Sequence, residues 1–156
     1  MDNQEHLSSI IKHMKRVEDN CNIVAKKLQK TNLPLALKLI QLGRIHDASK
    51  LDRFEFLNLH PDSKYFDYAI ATHHRGNKHH PEYWLDGIKE MPEEYIAEMV
   101  CDCVARGQEL GTDTRQWFYE VATKKYGFTM KNKCGKLIEK YLNLLLRKPF
   151  SNHGRK

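Results

Sequence analysis

Apolar side chains recur at spacings of three and four along almost the whole chain, and strand-like alternation is absent. The first such stripe is Leu7, Ile10, Ile11, Met14, Val17, Cys21, Val24, Ala25 and Leu28, which predicts one long helix over about 5–30. Pro34 suits the first turn of a second helix, predicted to run to about Lys50. A short helix is expected over 53–59, and Pro61 and Asp62 start another that reaches about Thr72. His73–Tyr83 holds Gly76, Asn77 and Pro81 and reads as a loop, followed by a short helical piece near 82–89. Pro92 opens a helix with Tyr95, Ile96, Met99, Val100, Cys103 and Val104 on one face, broken by Gly111. Thr112 or Asp113 can cap a helix to Lys125 that Gly127 stops, and Thr129 is expected to cap a last helix carrying Leu137, Ile138, Tyr141, Leu144 and Leu145. The expected fold is therefore all-α, a bundle of about six to seven helices.

One domain of 156 residues accommodates all of this, with no repeat, low-complexity stretch or linker. At 40% hydrophobic and 29% charged residues the composition is that of a soluble globular protein. No run approaches the ~20 apolar residues of a membrane span, and the first ten residues lack the basic and apolar regions of a signal peptide. A cytoplasmic setting and no membrane partner are the expectation. Cys21, Cys101, Cys103 and Cys134 make no C-x-x-C pair and read as reduced thiols, not a zinc framework. The net charge of +6 is spread along the chain apart from the basic end RKPFSNHGRK. It suits mild attraction for a small phosphorylated ligand and does not make nucleic acid the expected partner.

The chemistry concentrates in histidines and acids. His46 and Asp47 are adjacent in LGRIHDASK, and His73, His74, His79 and His80 crowd into HHRGNKHH. Asp102 lies in EMVCDCVAR, four residues after Glu98 and so on the same side of its helix. His13 sits at the border of the first apolar stripe, beside Ile10 and Val17. A carboxylate at the edge of an apolar face is costly unless paired or bound to a cation. Imidazole and carboxylate together suit divalent ions such as Zn, Mn and Fe.

The order His13, His46-Asp47, a histidine loop and Asp102 on successive helices resembles the HD-domain metal-dependent phosphohydrolase superfamily, over roughly residues 6–110. Helices at about 112–148 would lie outside that core. More narrowly, NKHHPEYW followed by EMVCDC is similar to a branch of HD-like proteins from bacteria and their viruses. The resemblance implies an HD-like bundle holding one or two divalent ions (Mn, Zn, Fe, Co or Mg). His13, His46, Asp47 and Asp102 would hold the first. Asp47 would bridge to a second, completed by one of His73 and His74 and one of His79 and His80, with His73 and His80 preferred. Asp47 and Lys50 would be the catalytic pair, and Lys50, Arg75 and Arg106 would contact phosphate. Glu98 is a candidate for fixing a histidine tautomer. HDASK departs from the usual hydrophobic residue and glycine by carrying Ala48 and Ser49. The four-histidine loop points to two-metal branches, which include phosphodiesterases and a few diiron oxygenases. The implied activity is hydrolysis of a nucleotide or other small phosphate ester. An iron oxygenase on the same fold is one alternative. A non-catalytic nucleotide- or protein-binding module, with Tyr83, Trp84, Trp117, Phe118 and Tyr119 as its recognition surface, is another.

Overall fold

The computed structural model describes residues 2–146; the basic end at 147–156 and the last residues of the helix expected to reach 148 lie outside them. The architecture is all-α, without a strand among the described residues. Helix α1 (Asn3–Leu28) starts at a capping box in which the Asp2 side chain accepts from the Glu5 amide and Glu5 reaches back to the Asp2 amide. Asn32 caps α2 (Leu33–Ile45), with Pro34 in its first turn. A 3-10 turn (Ala48–Leu51) leads to α3 (Arg53–Asn58) and α4 (Phe66–Gly76). Two further 3-10 turns, Pro81–Tyr83 and Gly87–Lys89, precede α5 (Glu93–Leu110). A composite rod follows: α6 (Thr114–Trp117), a π-helical turn (Phe118–Ala122) and α7 (Thr123–Lys125). Helix α8 (Lys133–Leu145) ends the described chain.

The core joins α1, α2, α5 and α8 through Val17, Val24, Leu39, Val100, Val104, Ile138 and Leu142, all buried. At about 25 cal/mol per Å2 of apolar surface, burial of this set is the main term favouring the bundle. Two polar details fix the packing. Buried Asn20 donates to the Cys101 carbonyl at 3.0 Å and pins α1 to α5. Gly43 lets α2 approach α1 so closely that a Cβ there would lie 2.8 Å from Cys21 Cβ. The four cysteines are free thiols.

Three expected boundaries move, each for a local reason. Helix α2 stops at Ile45, not near Lys50, because Asp47 takes a left-handed conformation (φ 55°). Among the described residues it is the only non-glycine to do so. Aspartate tolerates that region better than most residues, and such strain concentrates at functional sites. Helix α4 starts five residues after Pro61 and runs on through Gly76, so His73 and His74 are helical, not in a loop. Asn77 secures that end by donating to the His73 carbonyl at 2.8 Å. Asn132, not Thr129, caps α8. Thr129 and Met130 fold over Gly135, where a Cβ would fall 2.1 Å from the Thr129 carbonyl oxygen.

Candidate metal centre

The kink after α2 turns the His46–Asp47 doublet inward and leaves both side chains almost fully buried. His13 faces them from α1, Asp102 from α5, His73 from the last turn of α4, and His79 and His80 from the segment after it. Far-apart residues thus meet at one spot, with Asp47 at the middle. Its two oxygens face different partners. Oδ2 lies 3.7 Å from His13 Nε2 and 3.4 Å from His46 Nε2. Oδ1 lies 3.1 Å from His73 Nε2 and 3.4 Å from His79 Nε2. Asp102 Oδ1 completes the first side, 3.1 Å from His13 Nε2 and 3.9 Å from His46 Nε2. Two groups therefore have ligand-like spacing, with one donor atom per residue and all within 4.8 Å of one another: His13, His46 and Asp102; and Asp47, His73, His79 and His80.

Carboxylates set the direction of the rings from behind. His46 Nδ1 is 3.0 Å from Glu98 Oε1, His73 Nδ1 is 2.8 Å from Glu55 Oε2, and His13 Nδ1 is 2.9 Å from Glu109 Oε1. A carboxylate only accepts, so Nδ1 carries the proton and Nε2 presents its lone pair to the centre. Glu98 also approaches His79 Nδ1 at 3.6 Å, which accounts for a third group of ligand-like spacing, His46, His79 and Glu98. Ser49 donates to Glu55 at 2.9 Å and holds that carboxylate in place.

This arrangement leaves lone pairs facing lone pairs. His46 Nε2, Asp47 Oδ1, His79 Nε2 and His80 Nε2 are buried and without a hydrogen-bond partner among the described residues. An orphaned buried polar atom costs about 1–3 kcal/mol, and a proton, an ordered water or a cation can answer it. With a proton the effect appears in the acidities. Burial opposes charge on His46, but the attraction of Asp47, then of Glu98 and Asp102, outweighs it and lifts the imidazole well above its usual range. Burial would raise Asp47, yet His46, then His73 and His79, hold it well below the ordinary carboxylate range. Asp102 is likewise depressed against its burial by His13 and His46. His80 goes the other way: burial, then the neighbouring His79, push it down to about 2, so it offers a free lone pair.

A family of unknown function, DUF5662, matches residues 2–144. The chain belongs to that family. No curated protein matches the chain, and no solved structure does either. The membership names no chemistry, so the geometry carries the functional argument.

Most of the residues singled out from sequence meet here, with several differences. His79 and His80 both stand in the second group, where one of the two was expected. His74 stands outside both groups, half-buried, stacked on His80 at 4.3 Å between ring centroids and 3.6 Å from Glu82. Its place one residue along α4 turns it away from Asp47. Arg75 is exposed and does not line the cavity beside the centre. Lys50 and Arg106 do line it, but both are engaged: Lys50 Nζ lies 2.5 Å from Asp47 Oδ2, and Arg106 pairs with Glu109 at 3.1 Å. The five aromatics form no common surface. Phe118 is in the core, Trp84 packs against Tyr95 and donates to the Lys78 carbonyl, and among the five only Trp117 lines the cavity. Glu55 and Glu109 were not singled out from sequence at all. Each looks like one surface acid among many, and no spacing to its histidine marks it.

Because one Glu98 oxygen serves His46 and His79 in different groups, Glu98→Gln is expected to weaken metal binding by about 10- to 100-fold. Competition against a chromogenic chelator measures this, and unchanged affinity in that variant contradicts the role.

Proposed function

We propose that this chain is a metal-dependent phosphohydrolase of the HD-like kind, acting on a nucleotide or other small phosphate ester. The observation that carries the reading is the pair of histidine groups on opposite oxygens of one buried aspartate, with four unpartnered donor atoms between them. His13, His46, Asp47 and Asp102 would hold one ion, and Asp47, His73, His79 and His80 the other. The donor set is rich in imidazole, which favours Zn, Mn, Fe or Co over the oxygen-seeking Mg. Such ions, when bound, lower the pKa of water to about 7 and draw charge from a phosphoryl group.

The chain's own groups do the rest. Lys50 is anchored by Asp47 at the cavity edge, where its ammonium can donate to a phosphoryl oxygen. Arg106 stands at the same cavity and can orient the ester. Glu98, Glu55 and Glu109 hold the Nδ1 side of the imidazoles and aim Nε2 at the centre. No described helix is long and apolar enough to cross a membrane.

The test is elemental analysis of the purified protein followed by a screen of phosphate esters with each metal found. The double variant His46→Ala, Asp47→Ala should lose turnover while keeping its helical circular dichroism. Retained hydrolysis by that variant defeats the reading. One observation favours the iron-oxygenase rival: the second group carries three imidazoles to one carboxylate. Mössbauer spectra of aerobically purified protein separate the two, because a centre filled only with Zn or Mn excludes the rival.

A further inference from the structure

Resting on the phosphohydrolase reading, we infer that the ester taken by this site carries a single phosphate on a compact apolar or aromatic group, and that nucleoside triphosphates are poor ligands. Two independent features of the cavity lead there.

The first is its wall. A cavity of about 600 Å3 opens beside the centre, large enough for a small organic ester. The centre supplies one end, through His13, Asp47, His73, His80 and Asp102. Away from it the apolar part of the wall is Ile10, Leu59, Phe66, Ile70, Leu110 and Trp117. Two polar groups among that wall are already engaged: His6 Nε2 meets the Phe56 carbonyl at 3.1 Å, and Thr114 donates to the Cys103 carbonyl. Trp117 is placed by close helix contact. Gly107 has no Cβ, and one there would fall 2.0 Å from Thr114 Oγ1, so α6 sits directly on α5 and brings Trp117 to the cavity. Such a wall accepts an apolar or aromatic body by burial and stacking.

The second feature is charge. Five carboxylates lie in or directly behind the centre: Asp47, Asp102, Glu98, Glu55 and Glu109. Among the described residues three bases touch them: Lys50, Arg106 and Arg16. With neutral imidazoles, as metal binding requires, two negative charges remain. Two divalent ions reverse that to two positive charges. A phosphate monoester carries about 1.5 to 2 negative charges at pH 7, which closes the balance. A triphosphate brings more negative charge than the site has to offer, because the charges of Lys50 and Arg106, which line the cavity, are already counted in that balance. With only one ion the site is neutral, so phosphate binding should need both.

Isothermal titration of the metal-loaded protein decides this, with metal content assayed after each run so that stripping is separated from binding. Phenyl phosphate should bind at least tenfold tighter than inorganic phosphate, and adenosine monophosphate at least tenfold tighter than adenosine triphosphate. Smaller ratios in either pair overturn the inference. Trp117→Ala and Phe66→Ala should each cost phenyl phosphate severalfold in affinity, a loss specific to the organic group; Trp117→Leu serves if the alanine variant unfolds. An equal loss for inorganic phosphate means a general structural defect and counts against the wall assignment. If no phosphate binds at all, the inference falls together with the hydrolase reading. Tight phenyl phosphate binding without turnover under any metal defeats the hydrolase reading alone.

Discussion

Asp47→Asn is expected to empty both metal positions and to reduce hydrolysis by at least a hundredfold, while leaving the helix content unchanged. The argument starts from the two oxygens. Oδ2 serves the His13 and His46 side and Oδ1 the His73 and His79 side, so one change strikes both groups. An amide puts a neutral oxygen toward one side and an NH2 donor toward the other, and the donor faces a lone pair usefully but repels a cation. It also frees Lys50, which loses its 2.5 Å partner. The backbone should not object, because asparagine accepts the left-handed φ of 55° as readily as aspartate. Changes to groups merely behind the ligands cost about 10- to 100-fold in affinity, which sets the floor for loss of a shared ligand. Elemental analysis should find well under one ion per chain. A variant that still held two ions, or that hydrolysed at the native rate, would show that Asp47 does not link the groups.

How much of this could be read from the chain differs between levels. The helices were legible because their signal is local: three-and-four spacing, Pro34 at a helix start, Gly111 and Gly127 at left-handed stops. The ligand candidates were legible because histidine is uncommon: four crowd into HHRGNKHH, His46 adjoins Asp47, and His13 borders an apolar stripe. Boundaries near the centre were not. The strained turn at Asp47 and the extension of α4 through Gly76 follow from tertiary contacts, and a propensity pattern carries no trace of them. The choice within His73-His74 needed the helical phase of α4, which a loop assignment hides. An either-or choice within His79-His80 is too narrow, since the turn closed by the His80 amide on the Asn77 carbonyl brings both rings into the same group. Glu55 and Glu109 were invisible for a plainer reason. Their partners are 18 and 96 residues away, and an acid that steadies a distant histidine looks in sequence like any solvated carboxylate.

Chelation should lower the melting temperature by some 15–30 °C, and the physical source is the set of orphaned atoms. In the metal-free protein the fold must hold His46, Asp47, His79 and His80 at a common point with only protons or water to answer their lone pairs. A bound ion answers them and binds the folded chain, since the unfolded chain cannot gather ligands from residue 13 to residue 102. At free metal a thousandfold above the dissociation constant, each ion adds about 4 kcal/mol to folding stability. Two ions give about 8 kcal/mol, and for a chain of this size each kcal/mol moves the midpoint by about 2–4 °C. The sign is fixed, because binding to the native state can only raise the midpoint, and removal can only lower it. Filling one position should restore about half the shift, so a titration of Mn or Zn into chelated protein should climb in two stages. Asp47→Asn supplies the control: its melting temperature should be nearly indifferent to metal and chelator alike. Scanning calorimetry of native protein with and without chelator measures the difference. A midpoint that ignores chelation in the native protein would mean that protons and packing satisfy this cluster unaided, and the centre would then be a buried polar network and not a place for metal.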